Sequence, residues 1–120
     1  MHNDWYKYLD VEVLYMQRIG LPQGVTVSLD LNDVSQQDVA AKPLASQSVR
    51  TNGNVPIHFQ LRYDPRVVDA DLSYSLTARI ELDGLLLFTN TNSYLVTLNG
   101  SQAKIMMVLQ GSPLGFAAQL

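Results

Sequence analysis

Cysteine is absent from the 120-residue chain, which removes disulfides, thiol catalysis and thiolate-held metals together. Stability must therefore come from a packed core. Positive charge is scarce as well: eight Lys and Arg against eleven Asp and Glu leave a net charge of −3, and no basic cluster occurs. Nucleic-acid binding needs a basic face, so nucleic acid is not an expected partner. An anionic membrane surface is a poor electrostatic partner for the same reason. Apolar runs such as "LLLF" at 85–88 fall far short of the roughly 20 residues that a membrane-crossing helix needs. The opening "MHNDWYKY" has neither the basic nor the apolar region of a signal peptide. An exported protein of this sequence is thus expected to be a mature or trimmed form.

What the chain has in quantity is apolar residues, 47% against 16% charged, enough for one globular domain with a modest core. Their dominant period is two. Leu9, Val11, Val13 and Tyr15 alternate with Asp10 and Glu12 within 9–19. The same pattern runs through 25–34, 55–62, 74–81 and 103–110, with weaker candidates at 43–50 and 94–98. Such alternation describes sheets with one buried and one wet face. "TNGN" at 51–54, "DG" at 83–84 and "NG" at 99–100 read as hairpin turns, because Asn-Gly and Asp-Gly tolerate the positive φ of a tight turn. The longest irregular link, "SQQDVAAKP" at 35–43, fits a crossing between two sheets. No helical stripe with a cap is found beyond a single turn at 65–70. These features predict an all-β, single-domain antiparallel β-sandwich of seven or eight short strands. The core domain spans 9–110, between an N-terminal extension, 1–8, and a C-terminal tail, 111–120.

Three acids crowd the stretch "LRYDPRVVDADLSYSLTARI" at 61–80. A calcium loop would need a central Gly and a terminal Glu, and both are missing. Asp64-Pro65 is instead a turn opener, Asp69 to Asp71 a second bend, and Tyr74 suits a corner tyrosine whose hydroxyl bonds back to the backbone. The predicted structural corner is therefore Asp64, Pro65, Asp71 and Tyr74. His58 is the one histidine inside the domain, and the alternation puts it on the wet face of its strand. No serine sits in a nucleophile elbow, and the seven glycines are scattered through turns rather than forming a phosphate loop. "NGS" at 99–101 matches a glycosylation acceptor but reads better as a turn. Spacing alone leaves a glycosidase carboxylate pair open. The expectation is no catalytic residue, no metal and no cofactor. Trp5, Tyr6, Tyr8, Leu114 and Phe116 have no evident core slot. They either cover sheet edges or form a partner-binding patch; strand addition to a free sheet edge is a second binding route.

Three ordered strings carry a family likeness. Val27 to Asp38 loosely follows "V-x-L-x-D-V-S-x-x-D", Val55 to Pro65 follows "V-P-I-x-F-x-L-x-Y-D-P", and Tyr74 to Phe88 follows "Y-S-L-x-A-R-I-E-x-D-G-x-L-x-F". Over roughly residues 24–110 the chain resembles the YscW/YbaY-like lipoprotein family, which includes the type III secretion pilotins. The resemblance implies a compact β-sandwich at the periplasmic face of the outer membrane, anchored by a lipidated N-terminal cysteine that this sequence lacks. It further implies a chaperone that binds a secretin subunit through a C-terminal segment and aids its localisation and ring assembly, and that is monomeric alone. Two other readings stay open: a general envelope lipoprotein of structural or stress role, and a small carbohydrate-binding or hydrolytic sandwich using Asp64, Asp71 and Tyr63.

Overall fold

A computed structural model describes residues 6–18, 20–33, 43–51, 54–69, 71–92, 94–98 and 104–111. Eight strands make up nearly all of it: β1 (Lys7–Tyr15), β2 (Val25–Asp33), β3 (Ala45–Thr51), β4 (Ile57–Tyr63), β5 (Ser73–Leu82), β6 (Leu85–Thr89), β7 (Tyr94–Thr97) and β8 (Ile105–Gly111). The only other regular element among the described residues is one 3₁₀ turn, Pro65–Val67. The fold is all-β, as the alternation predicts. β1 begins at Lys7 and ends at Tyr15, where the sequence pattern extends to 19; Met16–Arg18 bend away instead.

The strands lie along one path, β3-β2-β5-β6-β8-β1-β4, with β7 paired to β5 beside β6. The sheet curls into a nearly closed, barrel-like sandwich. One half is β8-β1-β4 and the other is β3-β2-β5 with β6 and β7. Only two residue pairs, Phe88 with Gly111 and Thr89 with Gln110, join the halves through β6 and β8. A bulge makes this corner possible. The β5–β6 register shifts between Ile80 and Glu81, so β6 carries one extra residue and bends. Leu87 and Phe88 are consequently both buried in succession, against the alternation elsewhere.

Neighbouring strands are antiparallel except β1 and β8, which run parallel with Val11 opposite Ile105 and Tyr15 opposite Leu109. Of the three turn signals, Asp83-Gly84 joins paired neighbours. Leu82 faces Leu85 across a two-residue turn with φ of 51° and 83°, the conformation that Asp-Gly favours. "TNGN" does not close a hairpin: β3 and β4 are consecutive, yet they sit at opposite ends of the strand path and share no ladder. β7 and β8, on either side of "NG", also pair elsewhere; residues 99–103 lie outside the described residues.

The core follows from the alternation. Leu9, Val11 and Val13 of β1, Val25 to Leu31 at every second position of β2, and Leu76, Ala78 and Ile80 of β5 are fully buried. Phe59, Leu61 and Tyr63 come from β4, and Ile105, Met107 and Leu109 from β8. The Tyr15 and Phe88 rings stack across the two halves, 4.2 Å apart and 5° from parallel. No polar or charged residue is buried among the described residues.

Candidate interaction surface

The predicted corner is held by short-range hydrogen bonds. Asp64 caps the 3₁₀ turn: its Oδ1 accepts from the Arg66 backbone N–H at 2.9 Å, with Pro65 at the first position. The Arg66 guanidinium adds a two-pronged grip, Nε to Oδ1 and Nη2 to Oδ2, both at 3.0 Å. That side-chain hydrogen bonding holds the Asp64 carboxyl below its ordinary range. Tyr74 is buried, and its Oη accepts from the Asp69 N–H at 2.8 Å. The node is Asp69, whose Oδ1 also accepts from the Asp71 N–H at 2.9 Å. Asp71 contributes its backbone here rather than its carboxylate. A short polar side chain two residues before an N–H is the signal that marks Asp69.

These residues do not assemble a catalytic cleft. Tyr63 points into the core, where burial raises its hydroxyl above the ordinary range; Asp64 is engaged by Arg66 and Asp71 is exposed. Among the described residues no group of three or more His, Cys, Asp or Glu could hold a metal ion. His58 stands half-exposed on the outer face of β4, its Nε2 3.4 Å from Asp10 Oδ1. That is an ion-pair distance without hydrogen-bond geometry, and Asp10 Oδ1 itself is shielded from water.

The expected binding residues divide. Trp5, Leu114 and Phe116 lie outside the described residues. Tyr8 is 58% exposed on β1 opposite Arg62, and the Arg62 guanidinium lies over the Tyr6 ring, 4.3 Å from its centre. The larger apolar surface is one that sequence reasoning missed. Even-numbered positions of β1 and β8 face outward, and the parallel register sets Leu14 beside Val108 and Glu12 beside Met106. Met106 is 54% and Val108 42% exposed, and Met16, just past β1, is 75% exposed. The ion pair of Lys104 Nζ with Glu12 Oε2, at 3.1 Å, borders this patch. Beside it lies a hollow of about 240 Å³, where Tyr94 and Asn90–Asn92 face Met106, Val108 and Gln110. The signal was present in "IMMVL" at 105–109, whose apolar outward positions break the wet-face pattern. A second cleft, of about 320 Å³, separates Ala45–Gln47 of β3 from Gln60–Arg62 of β4.

The apolar outer patch offers a surface to a binding partner. Residues 6–109 match the family described as type III secretion system lipoprotein chaperone (YscW). The chain belongs to that family. A solved structure, an alternative pilotin from the type II secretion system of Vibrio cholerae, is 38% identical to it, with a TM-score of 0.80. The match covers 89% of this chain and 97% of that one. No curated protein sequence matches the chain. Membership of this chaperone family points to a non-enzymatic protein of the bacterial secretion machinery.

Proposed function

We propose that this family member is a pilotin: a lipid-anchored chaperone that binds a C-terminal segment of a secretin subunit and aids its delivery to the outer membrane and its ring assembly. The observation that carries the reading is the 38% identity to a pilotin along almost the whole length of both chains. Binding would cover an aggregation-prone apolar segment while an N-terminal lipid holds the complex at the periplasmic face of the outer membrane. The surface assigned to the partner is the outer face of β8 and β1, with Leu14, Met106 and Val108 at its centre and Met16 at its margin. Methionines suit such a role because they repack around different apolar partners. Tyr6 and Tyr8, with Trp5, Leu114 and Phe116, would extend it. The family description favours type III secretion; the solved relative favours type II.

The test is capture of secretin C-terminal segments from both systems by the purified protein. Saturable binding of one of them is expected, weakened at least about tenfold by Met106→Glu, which sets a charge at the centre of an apolar contact. If neither segment binds, the pilotin reading fails.

A further inference from the structure

Met106 and Val108 project from the outer face of β8, exposed, with Leu14 alongside, and the 240 Å³ hollow opens next to them. Among the described residues none around that hollow is charged. Asn92, Tyr94 and Gln110 bring carboxamides and a hydroxyl, while Met106 and Val108 bring apolar groups. Such a lining suits an extended backbone that carries apolar side chains: peptide groups find partners, and the side chains meet a thioether and methyls.

The chain has a segment of that kind beside the hollow. β8 ends at Gly111, one residue past Gln110 at the rim. From Ile105 to Leu120 the sequence contains no charged residue. Within "SPLGFAAQL" at 112–120, Leu114, Phe116, Ala118 and Leu120 take alternate positions, with Gly115, Ala117 and Gln119 between them. In an extended chain that period sets the four apolar side chains on one face.

Direction and reach agree. The ladder of β8 with β6 stops at Gly111 opposite Phe88, and Pro113 has no N–H with which to carry it further. Gly111-Ser112-Pro113 is turn chemistry. After it, the seven residues 114–120 span about 23 Å when extended, against about 17 Å from Gln110 back to Ile105. The N-terminal residues leave from the other end of the patch, since Lys7 opens β1 ahead of Val11, which faces Ile105.

We propose that residues 114–120 fold back antiparallel to β8 across its outer face, with Phe116 at the hollow beside Val108 and Ala118 over Met106. The tail then occupies the surface assigned above to the secretin segment. It is a displaceable cover: it shields the apolar patch in the unladen protein, and the partner must compete with it. Once displaced, Leu114 and Phe116 are free to line the rim. The competition rests on the pilotin reading; the cover does not.

Met106 reports the cover directly, because hydrogen peroxide oxidises an accessible thioether to the sulfoxide with water as the other product. The full chain is treated with dilute peroxide, and oxidation at each methionine is followed by peptide mass spectrometry, with buried Met107 as the floor. Phe116→Asp sets a charge in the uncharged hollow. It should speed Met106 oxidation at least about threefold, because a tail docked most of the time leaves the thioether open only in the remainder. Gln119→Asp adds the same charge to the opposite face of the tail and should leave the rate unchanged. Should Met107 oxidise faster too, the barrel has loosened, and Ala118→Asp then serves as the release variant under the same criterion. Equal Met106 rates in the parent chain and the release variant overturn the proposal. So does protection that fades on dilution, which would place the tail of a second copy there. Against the secretin segment, Ala118→Asp should bind at least about threefold tighter, since apparent affinity scales with the uncovered fraction; unchanged affinity overturns the competition. Failure of secretin capture with a positive oxidation result would remove the pilotin reading and leave the cover standing; capture with equal oxidation rates would do the opposite.

Discussion

The acids that look like a site at 61–80 are turn-makers, and the hydrogen bonds say why. A carboxylate two residues before an N–H satisfies a donor that the bend would otherwise leave without a partner. Asp64 does this for Arg66 and Asp69 for Asp71. Tyr74 then ties the bend to the core, its ring buried and its hydroxyl accepting from Asp69. Tyr74→Phe keeps the ring but removes that acceptor from a partly buried N–H. We expect a loss of about 1–2 kcal/mol, read as a lower urea midpoint with an unchanged slope. A loss no larger than that of an exposed control such as Ser73→Ala would remove Tyr74 from the corner's support.

Among the elements, β5 is the most demanding. It pairs with β2 along one edge, while its other edge is shared by β7 at Ser73–Leu76 and β6 at Arg79–Leu82. The junction between β6 and β7 is filled by a side chain. Asn90 Oδ1 accepts from the Ala78 N–H at 2.9 Å, and its Nδ2 donates to the carbonyls of Leu76 at 3.3 Å and Asn92 at 2.9 Å. Thr89 Oγ1 donates to the Ala78 carbonyl at 2.9 Å. A carboxamide reproduces the donor and acceptor of a peptide group, so Asn90 stands in for the missing strand residue. Asn90→Leu leaves these groups unmatched and should cost about 1–3 kcal/mol. Asn90→Asp retains the acceptor, loses both donors and should fall between the two. Thermal melts of both variants check the order. Nothing in the local sequence of "TNTNSY" separates Asn90 from Asn92 for this task, because it depends on where two strands part.

For the molecule as a whole, the weak place is the corner between the halves. β6 and β8 share two residue pairs, so the core carries much of the connection, with Tyr15 and Phe88 stacked across it. Phe88→Ala should cost about 3–5 kcal/mol through lost contact and residual cavity, a large fraction of the stability of a domain this size. Both halves should unfold together; separate transitions by near-UV and far-UV signals would show that the halves are independent.

The sequence by itself determined the fold class, the inward and outward faces of most strands, the Asp83-Gly84 hairpin and the chemistry of the 61–80 corner. Each is local: a period of two sets the face, and two residues set a tight turn. Only the tertiary structure decided which strands are neighbours. The parallel pairing of β1 with β8, the placing of β3 and β4 at opposite ends of the path, and the patch that joins Leu14 to Met106 and Val108 all depend on partners tens of residues away. Alternation says which face of a strand is buried, but every buried face is equally apolar, so it cannot name the strand alongside. Pairing is settled by closing one core under the constraints of bulge, twist and connection length, and the two clefts exist only where that closure leaves strands apart.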